Sequence, residues 1–145
     1  MTELPFKRLD PDAFLPEQAH PGDAGLDLRS VMDLRVEPGE RAMVRTGLAV
    51  AIPEGHAGLV LPRSGLASKH GLTLSNAPGL IDAGYRGEVV CAVVNLAREE
   101  AVSIAKGDRV AQLVIVEVPD VRPAWVDQLP DSTRGEGGFG STGRS

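Results

Sequence analysis

From Ala42 to Ile52 the chain alternates, with Ala42, Val44, Thr46, Leu48, Val50 and Ile52 on every second position. A period of two places these side chains on one face of an extended strand, half buried. The same texture returns in short runs over Gly58–Leu61, Leu72–Leu74, Glu88–Ala97 and Arg109–Val118. Turn-forming clusters separate the runs: Glu37-Pro38-Gly39-Glu40, Pro53-Glu54-Gly55, Asn76-Ala77-Pro78-Gly79 and Lys106-Gly107-Asp108. Strands of this length and spacing predict an all-β sandwich or barrel. One short helix fits, over Ser64–His70, with Ser64 placed to cap its start and Gly71 to stop it.

A chain of 145 residues, 42% of them hydrophobic, suits one domain with one core. A net charge of −5 argues against a general nucleic-acid binder, which would present a basic face. It leaves room for a small anionic substrate, since a few clustered arginines dominate a local field. Cys91 is the single cysteine, so no intrachain disulfide and no cysteine-based zinc site can form, and a reducing compartment fits. Met1 to Pro11 holds no apolar run of the signal-peptide kind, and no stretch approaches a membrane span. The expectation is a cytoplasmic protein without a membrane or nucleic-acid partner.

The texture changes at Pro130. The following residues, rich in glycine, serine and threonine, cannot build a core, and glycine is entropically costly to order. The chain is therefore expected to divide into a β domain over residues 1–129 and a flexible arm over residues 130–145. A plain tail would read the same way, except that Arg134 and Phe139 are residue types that grip ligands and glycines let backbone N–H groups approach phosphates.

Three segments carry chemistry. In Pro62-Arg63-Ser64-Gly65 an arginine, a hydroxyl and a glycine stand where the helix begins, a place suited to phosphate. The same residues also read as a cap beside a surface charge. Ser75 to Gly87 reads as a hairpin whose exposed backbone groups could pair with a planar base edge. Within it Asp82 follows two apolar residues, where partial desolvation would suit a general base, and Tyr85 is the only tyrosine. A turn former and a rim aromatic are the plainer readings. Gln112 interrupts the apolar run Val110 to Val116, either as an edge residue or as a buried amide needing partners. Asp27 reads as a turn or strand-end carboxylate. His20, His56 and His70 lack metal-ligand spacing.

Together the segments resemble the trimeric dUTPase family in five ordered motifs. These are Ala24-Gly25-Leu26-Asp27-Leu28, Pro62 to Ala67, Asn76 through Tyr85 to Gly87, Gly107 to Leu113, and Arg134-Gly135-Glu136-Gly137-Gly138-Phe139-Gly140. The resemblance implies a distorted jelly-roll barrel with one short helix and a flexible Gly-rich arm that closes the active site. It implies a homotrimer with sites built by three chains, and magnesium-assisted hydrolysis of dUTP to dUMP and pyrophosphate. By the same resemblance Asp82 activates the attacking water, with Gln112 helping to order it on the phosphate side. Arg63, Ser64 and Gly65 form the phosphate cradle. Asn76 with Gly79, Leu80 and Ile81 reads uracil, and Tyr85 packs on deoxyribose. Asp27 holds waters around Mg2+ that the triphosphate itself chelates. In the arm, Arg134 meets the phosphates and Phe139, followed by Gly140, meets the base.

One departure stands out: some relatives carry a lysine where this chain has Glu88-Val89-Val90-Cys91, so no site role falls to Val90. Two alternatives remain at this level, a dCTP deaminase-like enzyme and a non-catalytic nucleotide-binding relative of signalling type. The first would need a glutamate where Ala92 stands; the second sits poorly with Asp82, Gln112 and the arm.

Overall fold

Glycines and prolines cut the apolar alternation into strands of three to nine residues. The computed structural model describes residues 2–144; Met1 and Ser145, at the outer ends of the expected domain and arm, lie outside the described residues. In chain order the elements are β1 (Phe6–Arg8), β2 (Leu26–Arg29), β3 (Leu34–Val36), β4 (Arg41–Arg45), β5 (Leu48–Val50), β6 (His56–Leu61), α1 (Ser64–His70), β7 (Leu72–Leu74), β8 (Gly79–Asp82), β9 (Val90–Asn95), β10 (Val102–Ile104) and β11 (Arg109–Glu117).

The fold is all-β with one short helix, but the expected jelly-roll barrel is not formed. The strands make four separate open sheets, ordered β2-β11-β6-β8, β4-β9-β7, β1-β5 and β3-β10. Closure fails for a local reason. β9 is hydrogen-bonded to β4 along one side, while on the other β7 pairs with Val93–Asn95 alone, and among the described residues no ladder joins β8 to the remaining Val90–Ala92. Among the described residues β8 therefore ends its sheet with β6 as its single partner.

The run from Ala42 to Ile52 keeps its buried face but is two strands rather than one. It breaks at Gly47, whose φ is +68° and where a Cβ would fall 2.6 Å from Asp10 Cβ. Beside it the buried Thr46 hydroxyl donates to the Val89 carbonyl (2.6 Å) and accepts from the Leu48 amide (3.3 Å). β4 consequently pairs with β9 while β5 pairs with β1. The segment from Ser75 to Gly87 is likewise not a hairpin: β7 and β8 lie in different sheets, and the chain crosses between them and returns as β9. The helix keeps its expected bounds, with Gly71 in the left-handed conformation at its end. Its N-cap is Arg63, without a side-chain capping bond, so Ser64 is the first helical residue rather than the cap.

Leu28, Val36, Val44, Leu72, Val93 and Leu113 fill the core between the sheets. Asn95 is fully buried with them. Its Nδ2 donates to the Val36 (3.0 Å) and Glu100 (2.8 Å) carbonyls and its Oδ1 accepts from the Ala97 amide (2.9 Å). Asn95→Ala strands three backbone groups, and an unmet buried group costs about 1–3 kcal/mol. The expected result is a lower urea midpoint with unchanged slope, measured at one fixed protein concentration.

After β11 the chain leaves the body. Residues 119–134 are exposed and carry no strand or helix, with Val121, Trp125, Val126 and Leu129 open to solvent. Among the described residues no helix is long and apolar enough to cross a membrane.

Candidate active site

The expected site residues fall into two pockets and an arm. The first pocket, of about 370 Å³, occupies the gap where β8 fails to meet β9. Asn76, Gly79, Leu80, Ile81, Asp82 and Tyr85 line one side, and Val90, Cys91 and Ala92 line the other. Its volume lies in the range of small-molecule sites. Because β8 is an edge strand, part of its backbone is free to meet a flat polar ring. Asp82 is exposed rather than desolvated, since Leu80 and Asp82 point outward while Gly79 and Ile81 point into the core. Burial pushes the Cys91 thiol up to about 12, so it stays protonated and offers no nucleophile.

The second pocket, of about 320 Å³, is polar and lined by Ala19, Asp23, Ala24, Gly25, Asp27, Arg63, Ser64, Gly65 and Gln112. β11 holds Gln112 between Asp27 of β2 and Leu61 of β6. The Gln112 amide donates to the Pro62 carbonyl (3.0 Å), tying β11 to the start of α1. Gly25 makes room for it: a Cβ there would lie 2.3 Å from Gln112 Oε1. Asp27, largely buried, faces two guanidinium groups, with Oδ1 3.4 Å from Arg63 Nε and Oδ2 3.3 Å from Arg109 Nη1. Arg63 thus lines the pocket within ion-pair reach of Asp27.

The two pockets share no lining residue. Asp82 pairs with Ala57 and Gln112 with Leu61, at opposite ends of β6 and on either side of it. Strand rise and spacing put the two about 16 Å apart. The arm meets neither pocket. Arg134 Nε donates to the Gly137 carbonyl (2.6 Å), and the arm's hydrogen bonds among the described residues run within itself. Phe139 is fully exposed, with a φ of +50° that a phenylalanine rarely adopts. Gly140 follows at +86°.

Arg109 and Gly25 were missed as functional residues by sequence reasoning. Both lie inside motifs already marked, but what they meet, Asp27 and Gln112, is set by the register of β2 on β11 and carries no local signal. At the first pocket Met43 comes from β4, far from the motifs in sequence, and Glu88 directly follows the third motif.

Among the described residues no group of three or more His, Cys, Asp or Glu converges as a metal site. The second pocket offers two carboxylates, and Asp27 already faces two arginines. Such a donor set fits a hydrated ion carried in by a polyanion, reached from Asp27 through water, better than a direct ligand shell.

The arrangement can hold a flat polar ring in one place and a polyanion in another. A family model described as dUTPase matches residues 12–143. The deoxyuridine 5'-triphosphate nucleotidohydrolase of Thermobifida fusca is 56% identical over 142 residues, 98% of this chain and 79% of its own. That of Mycolicibacterium gilvum is 52% identical over 147 residues, covering 98% and 96%. The dUTPase of Staphylococcus bacteriophage 80alpha, solved with dUPNHPP, superposes with a TM-score of 0.92 at 35% identity, over 99% of this chain and 100% of its own. A variant of the phage phi11 dUTPase of S. aureus, solved with a coordinated structural Mg(II) ion, superposes at 0.81 with 33% identity, covering 88% and 98%. The chain belongs to the trimeric dUTPase family.

Proposed function

We propose that the two pockets are the nucleoside and phosphate halves of one active site, completed between chains of a homotrimer. The reaction is hydrolysis of dUTP to dUMP and pyrophosphate. The observation that carries the assignment is Asp82 at the mouth of a pocket of nucleoside size whose wall is the unpaired edge of β8. Asn76 and the β8 backbone read the uracil edge, and Tyr85 stands against the sugar. Arg63, Ser64 and Gly65 take the triphosphate. Asp82 orients a water and accepts its proton as the oxygen attacks the α-phosphorus. The bond to the α–β bridging oxygen breaks, and pyrophosphate leaves. Gln112 holds the phosphate side of the same water. When bound with the triphosphate, Mg2+ would neutralise part of its charge, and Asp27 would hold it through water. Arg134 and Phe139 close the site from the phosphate and base ends. A cytoplasmic setting suits the single buried cysteine.

Selectivity tests this reading. Turnover of dUTP should exceed that of UTP, dCTP and dTTP by at least roughly 100-fold in kcat/KM. UTP meets Tyr85 with its extra hydroxyl, and thymine brings a methyl to the β8 edge. dCTP should release no ammonia, because Ala92, on the first pocket's wall, cannot move a proton. Comparable rates for UTP and dUTP would remove the assignment of Tyr85.

A further inference from the structure

Tyr85 is held by residues that have no assigned part in the reaction. Its hydroxyl donates to the Glu88 carbonyl (2.9 Å). Its ring lies against Gly87 so closely that a Cβ there would fall 2.5 Å from Oη and 2.6 Å from Cζ. Glu88 is pinned in turn by a two-pronged fork from β4, with Arg45 Nε donating to Oε2 (3.1 Å) and Nη2 to Oε1 (2.9 Å). Asp10 flanks the same guanidinium at 3.9 Å. The next residue is tied on both sides: the Val89 amide donates to the Leu48 carbonyl (2.7 Å), and its own carbonyl accepts from Thr46.

We propose that Gly87 and the Arg45–Glu88 pair are positioning residues that lock the Tyr85 ring and so set how strictly a sugar with a 2′-hydroxyl is excluded. The proposal rests on Tyr85 as the sugar wall. An exposed aromatic excludes an oxygen atom only if it cannot swing aside, and an unrestrained tyrosine turns about two side-chain bonds. An isolated surface ion pair adds little to stability. This one instead joins residues 43 positions apart and fixes the carbonyl on which the ring hydroxyl rests. Gly87 acts from the other side. Its backbone is not in the left-handed region, and the atoms an added methyl would meet belong to the movable end of Tyr85. Gly87→Ala should therefore displace the ring and spare the fold.

The chain has one tyrosine, so incorporation of 3-fluorotyrosine gives a single fluorine resonance from the ring in the assembled enzyme. Gly87→Ala and Arg45→Met should each shift or broaden that resonance. Each should also raise kcat/KM for UTP relative to dUTP by at least about fivefold, with unchanged circular dichroism; steric discrimination in a pocket is of this order or larger. Glu88→Gln, which keeps one prong of the fork, should lie between wild type and Arg45→Met and serves if Arg45→Met folds poorly. A wild-type resonance and wild-type nucleotide ratio in Gly87→Ala and in the fork variants would overturn the lock. Tyr85→Ala separates this from the reading beneath it. A raised UTP ratio in Tyr85→Ala alone defeats the lock and keeps the wall. An unchanged ratio in Tyr85→Ala defeats the wall, and the proposal with it.

Discussion

Asp82→Asn is expected to lower kcat by roughly 10²- to 10⁴-fold, the usual value of a positioned general base, while a non-hydrolysable dUTP analogue still binds. The amide has the shape of the carboxylate but cannot take the water's proton. Single-turnover kinetics beside analogue binding separates the two effects, and a variant with near-normal kcat would show that the base lies elsewhere. The 16 Å or so between Asp82 and Gln112, from strand geometry, adds a sharper form of the experiment. A Gln112→Ala chain should be weak by itself. Unfolded together with Asp82→Asn chains and refolded, it should regain activity, because about a quarter of randomly mixed interfaces combine a sound Asp82 with a sound Gln112. If each chain carried a whole site, mixing would restore nothing.

Phe139→Ala is expected to lower kcat/KM by roughly 5- to 150-fold, the rate equivalent of losing one base–aromatic stack, with the fold and assembly unchanged. Phe139 is fully exposed and sits at a φ of +50°. A large apolar side chain held this way gains free energy only when something covers it, and a uracil face is the right size and polarity. The arm around it is glycine-rich and hydrogen-bonded only locally among the described residues, so ordering it must draw on the ligand. A Phe139→Trp reporter checks the closure directly. It has to be built with Trp125→Phe, because Trp125 is the only native tryptophan and is itself exposed. Constant emission on adding a dUTP analogue and magnesium, with wild-type kinetics for Phe139→Ala, would leave the segment as a tail.

What could be read in the sequence follows what is local. β7 and α1 appear with their expected bounds because Gly71 separates them and its left-handed conformation is a property of one residue. β11 is nearly as clear, since nine residues with an apolar face leave little choice. The break at Gly47 was hidden because its cause is Asp10, far away in sequence and close in space. Strand spacing left a sandwich and a barrel both open; the choice of a jelly-roll barrel came from the family resemblance, and it depended on which strands flank β9, which no local pattern records. The site divides in the same way. Every expected residue outside the arm lines a pocket, because each motif is a short stretch of special backbone. The separation of Asp82 from Gln112, and the sharing of Asp27 between Arg63 and Arg109, depend on register and were not legible.

The unpaired edge of β8 exposes the chain to a hazard as well as a substrate. A bare strand edge is a template for any other extended chain, and proteins guard such edges with shortness, proline and charge. β8 has all three: it is four residues long, Pro78 precedes it, and Asp82 ends it. These guards also limit what sequence change the strand can accept. A longer or more apolar β8 would bind a planar base no better and would invite edge-to-edge aggregation. A nucleotide that binds along that edge, as proposed, should act as a preservative, and enzyme stored with a dUTP analogue should stay clear under conditions in which the empty enzyme turns turbid.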